Sequence, residues 1–303
     1  MKLKSMIYSG NLEISELPAV VLTPGRVLAK PMAVYIGDVE RDVLNNEIAI
    51  TKPLVLGSTG IVKIIETYGD MPGFIGKEFT VSPMGDDGLL GINTNGLLAS
   101  YINLHPSHIE EETCTRNPSE ALKPLIRHAV SLSAKCVEPV LVEGCDLIGI
   151  ATGLAIRASG VEPIFYCERG ARNALAHGFE VYGHLSNLSN KYRSVLITSR
   201  NVAVHYKLLR NLEINKLLIS PLSLMNWIPL RGIGSVDIEI VTKERDINDN
   251  VVKNTLNTVS RMIKVFVVED IEATRGLLPP RGLGFIVVFK KQEEFNARKT
   301  KTP

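Results

Sequence analysis

Three positions between Pro139 and Gly149 have the spacing of a phosphate-binding turn. Gly144, Asp146 and Gly149 occupy the three fixed positions of G-x-G-x-x-G, in which a strand passes through a tight turn into a helix. The first glycine allows the turn, the second lets the backbone approach a pyrophosphate, and the third lets the helix pack on the strand. Because an aspartate holds the second position, the sequence predicts a dinucleotide-type turn with a disrupted phosphate site.

The aspartate itself suggests what replaces the phosphate. Aspartate is among the most favoured N-cap residues, and a helix N-terminus attracts negative charge. We therefore expect the carboxylate of Asp146 to cap the following helix, fill the anion site and repel a pyrophosphate. The alternative is that the turn tilts and a cofactor still binds there.

The segments around this turn predict a strand–helix–strand unit of about 30 residues, which opens a dinucleotide-binding fold. An acidic residue for the cofactor ribose belongs at the end of the second strand. Counted from Gly144, that position is Cys167, so its neighbour Glu168 is the candidate, and a surface glutamate in a turn is the alternative. The predicted elements are a strand at 140–142, a helix at 147–160 and a strand at 163–167.

The composition is that of a soluble globular protein. The chain has 303 residues, 45% hydrophobic and 22% charged, with a net charge of +2. A net charge this close to zero favours binding neither to nucleic acid nor to an acidic partner. No apolar run approaches the length of a membrane span. No secretory signal pattern is present, so we expect a cytoplasmic protein. Proteins of thermophiles contain few glutamines and asparagines. The single glutamine of this chain therefore favours a thermophilic source, whereas its many asparagines argue against one.

The order of predicted elements divides the chain into two units. Residues 1–117 contain many short strand-like runs separated by turn residues, which favours a compact barrel or sandwich. Residues 118–263 alternate helices and strands, which predicts a doubly wound parallel sheet. The segment 264–303 contains the apolar run GFIVVF, which we expect to return as a strand to the first unit. The fold class is therefore α/β.

Taken in order, several short segments resemble the medium-chain dehydrogenase/reductase superfamily, which includes the zinc alcohol dehydrogenases and the quinone reductases. The resemblance covers roughly residues 1–290 and implies a GroES-like β-barrel domain (1–117 and 264–303) with a Rossmann-like domain (118–263). The segments that carry it are KPLVLG at 52–57, GFIGK at 73–77 followed by VSP at 81–83, GINTNG at 91–96 with LASY at 98–101, PL at 124–125 with HAV at 128–130, and VEDIEA at 268–273.

The positions that hold the catalytic zinc in this superfamily carry other residues here. The cysteine position falls at Ile36-Gly37-Asp38, the His-Glu position holds Ser58 and Thr59, and the third holds Lys123. Hydroxyl groups and a lysine do not replace thiolate and imidazole as zinc ligands. We therefore expect no zinc, and we predict that Ser58, Thr59 and Lys123 are the candidate catalytic residues lining a polar pocket floor. The structural zinc lobe is also missing, since 84–91 contains no cysteine.

Two main functions follow from the resemblance and its missing residues, and a third class is left open, in which the fold is reused to bind a different small molecule in the cleft between the two domains. The first is a degenerate, non-catalytic relative (a pseudoenzyme) that serves as a binding or assembly subunit without a cofactor. The alternative is a zinc-independent NAD(P)H-dependent oxidoreductase of the alcohol, sugar or quinone type, in which hydrogen bonds polarise the hydride acceptor. Ser58, Thr59, Lys123 or Tyr35 would then donate those bonds, and Gly144, Asp146, Gly149 and Glu168 would face the NAD(P)H.

Expectations about assembly and thiol chemistry complete the sequence interpretation. Members of the superfamily often pair through an edge strand, so we expect a homodimer with 237–241 as the candidate edge, and a separate protein partner is left open. No nucleic acid or membrane partner is expected. Cys145 and Cys167 lie at the tips of adjacent strands, where buried free thiols are the favoured interpretation and a disulfide is the alternative.

Overall fold

The structure is a computed structural model that describes residues 3–17, 21–69, 71–224, 236–242 and 247–290. Its first part, up to Thr113, is built from short strands and one helix, α1 (Asp38–Leu44). The strands are β1 (Leu3–Tyr8), β2 (Leu12–Leu17), β3 (Val27–Ile36), β4 (Leu54–Val55), β5 (Thr59–Thr67), β6 (Glu78–Val81), β7 (Met84–Gly85), β8 (Gly88–Leu89), β9 (Ile102–Leu104) and β10 (Ile109–Thr113).

The second part alternates strands and helices, as the sequence predicts. Its strands are β11 (Val140–Glu143), β12 (Ile164–Tyr166), β13 (Glu180–Tyr182), β14 (Lys191–Ile197), β15 (Glu213–Ile219) and β16 (Asp237–Ile240). Its helices are α2 (Lys123–Ser133), α3 (Leu147–Ala158), α4 (Ala171–Leu175), α5 (Val202–Asn211) and α6 (Asp249–Ser260). After it come β17 (Lys264–Val268), α7 (Ile271–Thr274) and β18 (Phe285–Phe289).

The second part forms one six-stranded parallel sheet in the order β13-β12-β11-β14-β15-β16. The chain moves outward from β11 in one direction and then returns past it, so β11 and β14 are neighbours where the winding reverses. In parallel sheets of this kind, ligands bind beyond the carboxyl ends of the strands at such a reversal. The Gly144–Gly149 turn lies at that point.

The last strand pairs with the first part of the chain. β18 runs antiparallel to β3, with Val287 opposite Val34, and β17 lies parallel to β18 at the sheet edge. The expectation that GFIVVF returns to the first unit is therefore confirmed. Together with the parallel sheet, this confirms the α/β fold class with a GroES-like and a Rossmann-like unit. The domain boundaries at 117/118 and 263/264 remain predictions, and residues 291–303 lie outside the described ranges.

A large apolar core joins the strands to the helices packed on them. It continues from β3 and β5 through α2 into α3, where Ile148, Ala151 and Ala155 are buried. None of the helices in the described residues is both long and apolar enough to span a bilayer.

Candidate functional site

The dinucleotide-type turn is retained in shape. Gly144 has a φ of +105°, which only glycine adopts without strain. A Cβ added to Gly149 would collide with the backbone carbonyl oxygen of Gly144, so the first turn of α3 packs directly on the end of β11. The first and third glycines therefore have the roles that the fingerprint assigns to them.

Asp146 occupies the N-cap position of α3, but its carboxylate does not cap the helix. Its Oδ1 accepts a hydrogen bond from Nη2 of Arg41 at 2.9 Å instead. A hydrogen bond between two charged groups is stronger than one to a neutral backbone N–H, which explains why the carboxylate turns away from the helix. The expectation that Asp146 caps α3 and fills the anion site with its own carboxylate was therefore wrong.

The ion pair connects the two halves of the molecule, because Arg41 belongs to α1. Asp38, Arg41 and Asp42 lie at spacings of three and four residues, which places them on one face of this short helix. A second arginine, Arg200, follows β14 and approaches the same face. Its Nε donates to Oδ2 of Asp42 at 2.7 Å, and its Nη2 donates to Oδ2 of Asp38.

We call these five residues, Asp38, Arg41, Asp42, Asp146 and Arg200, the cleft cluster. The side chains of Arg200 and Asp42 are 1% and 4% exposed, and that of Asp146 is 17% exposed. With three carboxylates and two guanidinium groups, the cluster carries one excess negative charge when all of them are ionised. Buried charges are tolerated only when they are paired in this way.

Burial and the neighbouring charges change the pKa of each carboxyl group in the cluster differently. Burial, reinforced by the charge of Asp38, raises the pKa of Asp146 to about 6, although Arg41 opposes the shift. Burial also favours a raised pKa at Asp38, but Arg200 and Arg41 outweigh it and lower the pKa of that carboxyl. Asp38 therefore holds its charge most firmly, and Asp146 is the member that gains a proton first.

The raised pKa of Asp146 predicts a pH-dependent stability difference. A carboxyl whose pKa is higher in the folded state takes up a proton on folding, so its contribution to stability decreases as the pH rises from about 4 to about 7. Asp146→Asn removes this decrease and keeps an oxygen for Arg41. We expect its free energy of unfolding, relative to the unsubstituted protein, to rise by on the order of 2 kcal/mol over that range. Urea unfolding at several pH values measures this difference in the free energy of unfolding. For the control variant Asp237→Asn, on the exposed strand β16, the difference should not change with pH.

The predicted catalytic residues are only partly brought together. Thr59 donates its hydroxyl to the carbonyl oxygen of Val81 at 2.6 Å, and the backbone N–H of Ser58 donates to Oε1 of Glu40 at 2.9 Å. Both residues are buried, but only Ser58 contacts α1. Lys123 begins α2, and its ammonium group pairs with Glu111 and lies 3.8 Å from Glu120. The described contacts do not join Lys123 to Ser58 or Thr59. The hydroxyl of Tyr35 donates to the carbonyl oxygen of Leu283 at 2.6 Å.

Glu168 lies at a pocket beyond the carboxyl ends of β12 and β14. The pocket has a volume of about 550 Å³, and Arg169, Arg200 and Glu47 also line it. Oε1 of Glu168 lies 3.3 Å from the ammonium of Lys207. Arg169 makes a bidentate pair with Glu47, at 2.7 and 2.6 Å, and this is a second connection between the two halves of the molecule.

Cys145 and Cys167 form a disulfide with a Cα–Cα distance of 5.7 Å. The favoured expectation of two free thiols was therefore wrong for this pair, whereas Cys114 and Cys136 are free. The bond joins the residue after Gly144 to the residue before Glu168. It fixes the turn against the end of β12, the two places where a dinucleotide would make contact.

The residues at the zinc positions do not suit zinc binding, and those at the Gly144–Gly149 turn do not suit a pyrophosphate. Of the residues in the zinc positions, Asp38 alone has a carboxylate, and Arg200 binds it. Among the described residues, no group of three or more His, Cys, Asp or Glu side chains is placed to hold a metal ion. A pyrophosphate at the turn would have to displace the Arg41–Asp146 pair.

Sequence reasoning missed four members of the cleft cluster. The signal available was the pattern Asp38-x-x-Arg41-Asp42, which places three charges on one face of a helix. This helix begins where the superfamily has a zinc-binding cysteine and this chain has none. Arg200 had no comparable local signal, because its partners are about 160 residues away in the chain.

Comparison with known proteins supports the fold. No protein-family model matches the sequence, and no curated protein matches it either. Many solved structures do match. A thermostable alcohol dehydrogenase from Pyrobaculum aerophilum is 14% identical, with a TM-score of 0.67 and coverage of 95% of this chain and 100% of that one. An acetophenone reductase from Geotrichum candidum, solved in complex with NAD, is 14% identical, with a TM-score of 0.67 and coverage of 95% and 97%.

A third match, 2R,3R-butanediol dehydrogenase from Bacillus subtilis, is 15% identical, with a TM-score of 0.63 and coverage of 94% of this chain and 99% of that one. At such identities the likeness speaks for the fold alone. Together with the two units described above, it shows that this chain has the fold of the medium-chain dehydrogenase/reductase superfamily.

Proposed function

We propose that this chain is a non-catalytic binding or assembly subunit that keeps the dehydrogenase scaffold without its cofactor or zinc. The observation that carries the proposal is the Arg41–Asp146 ion pair, which bridges the cleft at the turn where a pyrophosphate would lie. The buried pairs of Arg200 with Asp38 and Asp42 reinforce the bridge from the other side. A pyrophosphate would have to displace the Arg41–Asp146 pair, whose side chains are 18% and 17% exposed, and separating a largely buried ion pair costs more than an ordinary loop movement.

Direct titration tests the proposal. NADH and NADPH are added to the protein while nicotinamide fluorescence is recorded, and we expect no saturable enhancement in the micromolar range. In Asp146→Gly, the fingerprint glycine is restored and Arg41 becomes available to a phosphate, so we expect affinity to increase at least tenfold, or about 1.4 kcal/mol. Asp237→Gly provides a matched change away from the cleft. Low-micromolar binding by the unsubstituted protein would contradict the proposal, as would stoichiometric zinc in the purified protein.

A second candidate is a zinc-independent NAD(P)H-dependent oxidoreductase. The pocket beside Glu168 and Arg169 favours it, because it lies at the reversal point where such folds bind nucleotides. In that case Ser58, Thr59 and Lys123 would act near the substrate. The hydroxyl of Thr59 would first have to leave its backbone acceptor, Val81.

For assembly, we propose a homodimer through β16. Among the residues that the structure describes, this strand forms one edge of the parallel sheet, and Ile238 and Ile240 on it are 39% and 50% exposed. Exposed apolar side chains on an unpaired edge favour pairing with a second strand. In a subunit that has no catalytic activity, assembly through such an interface would be the function that remains.

A further inference from the structure

The strand β17 forms an open apolar edge of the sheet that contains β3. It lies at the end of that sheet and pairs with β18, and in the described part of the chain no strand pairs with its outer side. After Lys264 all of its residues are apolar, and Val265 and Val267 are 43% and 62% exposed. Unpaired edges of this composition readily pair with another strand.

The opposite edge of the same sheet is protected by charge. There β10 contains Glu110, Glu111 and Glu112 in succession. Charged side chains are one of the means by which proteins keep an edge strand from pairing with other chains. The one charged residue of β17 is Lys264 at its first position, so the rest of this strand lacks that protection.

The backbone groups available for pairing belong to the two exposed valines. The carbonyl oxygen of Val268 accepts from the N–H of Lys290, which directly follows β18, at 2.9 Å. Successive residues of a strand direct their backbone groups to opposite sides. The N–H and C=O groups of Phe266 and Val268 therefore face β18, and those of Val265 and Val267 face outward.

We propose that β17 pairs with β17 of a second copy of this chain, antiparallel, with the twofold axis beside Phe266. In this register the N–H and C=O groups of Val265 exchange hydrogen bonds with those of Val267 in the second copy, and the reverse. Each exposed valine side chain then packs against a valine of the other copy. Phe266 lies on the opposite face of the strand, where its ring already packs on Phe285 with a centroid distance of 5.4 Å.

The charges at the two ends of β17 fit an antiparallel pair. Lys264 is exposed and has no carboxylate partner among the described residues. At the other end of the strand, three carboxylates share two ammonium groups and leave one excess negative charge; the residues are Glu269, Asp270 and Glu272 with Lys4 and Lys290. A twofold axis brings Lys264 of each copy toward the negative end of the other, whereas a parallel pair would place like charges together.

This surface is separate from β16, which belongs to the other sheet. Both pairings use the same patch on each copy, so a chain that uses both would assemble into tetramers or longer assemblies. The inference extends the proposed assembly role but does not require the β16 interface. The experiment therefore disables β16 first, so that failure at one edge can be distinguished from failure at the other.

Sedimentation velocity of Ile240→Lys tests β17 alone, because a charge on β16 blocks pairing at that edge. We expect this variant to remain a dimer at micromolar concentrations. Adding Val267→Lys should weaken the dimer by about tenfold or more, because both valine pairs are lost. Val265→Lys should act in the same way and serves if the first variant does not fold. Val137→Lys replaces a valine that is 48% exposed elsewhere and should leave the dimer intact.

Amide hydrogen exchange followed by NMR identifies the strand that pairs. In Ile240→Lys, protection of the N–H groups of Val265 and Val267 should increase with protein concentration, whereas Phe266, bound to β18, should be protected throughout. Three results would each overturn the proposal. These are a monomeric Ile240→Lys protein, equal dissociation after Val267→Lys and Val137→Lys, or protection of the two valines that does not depend on concentration. The last result would mean that another part of the same chain covers β17.

Discussion

Replacing Arg200 with methionine should destabilise the protein by about 3–5 kcal/mol, because the buried carboxylate of Asp38 loses its ion-pair partner and that of Asp42 keeps only Arg41, 3.5 Å away. The arginine side chain is 1% exposed, and those of its two partners are 7% and 4% exposed, so water cannot take over its role. Methionine fills much of the same volume, which separates the loss of charge from the loss of packing. Chemical denaturation at neutral pH gives the free energy of unfolding for both proteins.

Two further variants establish the cause. Arg210→Met on the exposed side of α5 should change stability by less than about 0.5 kcal/mol. The triple variant Arg200→Met with Asp38→Asn and Asp42→Asn removes the unpaired charges as well, and it should recover a large part of the loss. A loss below about 1 kcal/mol in Arg200→Met alone would mean that the cleft cluster is solvated and does not bind the two halves of the molecule together.

Gly149→Ala should destabilise the protein by about 3 kcal/mol, although alanine is the better helix former. In a free helix this change gains up to about 1 kcal/mol. Here the added methyl group would collide with the carbonyl oxygen of Gly144, which belongs to the backbone and cannot move alone. Either α3 shifts away from β11 or the turn distorts, and both disturb a packed core. Thermal unfolding measures the difference.

Gly276→Ala is the matched control for this prediction. Nothing lies within 4 Å of a Cβ built on Gly276, and its φ is not in the left-handed region, so this change should be neutral or stabilising. If Gly149→Ala behaved in the same way, the close approach of α3 to the turn would be absent in solution. The third glycine would then not have its fingerprint role in this chain.

The sequence predicted the features that depend on local pattern. The strand at 140–142, the helix from Leu147 and the alternation that gives the parallel sheet all follow from apolar spacing and turn residues, and the structure has them. The short strand β13 and the edge strand β17 were not predicted, because three residues or a single apolar run carry too little periodicity to identify.

The candidate site was harder to predict because its partners are far apart in sequence. Asp146 was correctly placed at the start of α3, but the direction of its carboxylate depends on Arg41, 105 residues earlier. The N-cap preference of aspartate favoured a bond from its carboxylate to the helix backbone. The carboxylate instead binds the charged guanidinium of Arg41, which comes from the other half of the molecule. In the same way, Lys123 was expected to face Ser58 and Thr59, whereas Glu111 from the end of the first part binds its ammonium group.

The pairing of β18 with β3 also constrains the order of events during synthesis on the ribosome. Val34 of β3 emerges about 250 residues before its neighbour Val287. The six parallel strands between them form a continuous stretch of chain and can fold while translation proceeds, since domains generally fold as units. The part of β3 from Ala33 to Ile36 must wait with one edge unpaired until β18 is released. Nascent chains are therefore exposed to aggregation or chaperone capture along this part of β3 until β18 has been synthesised.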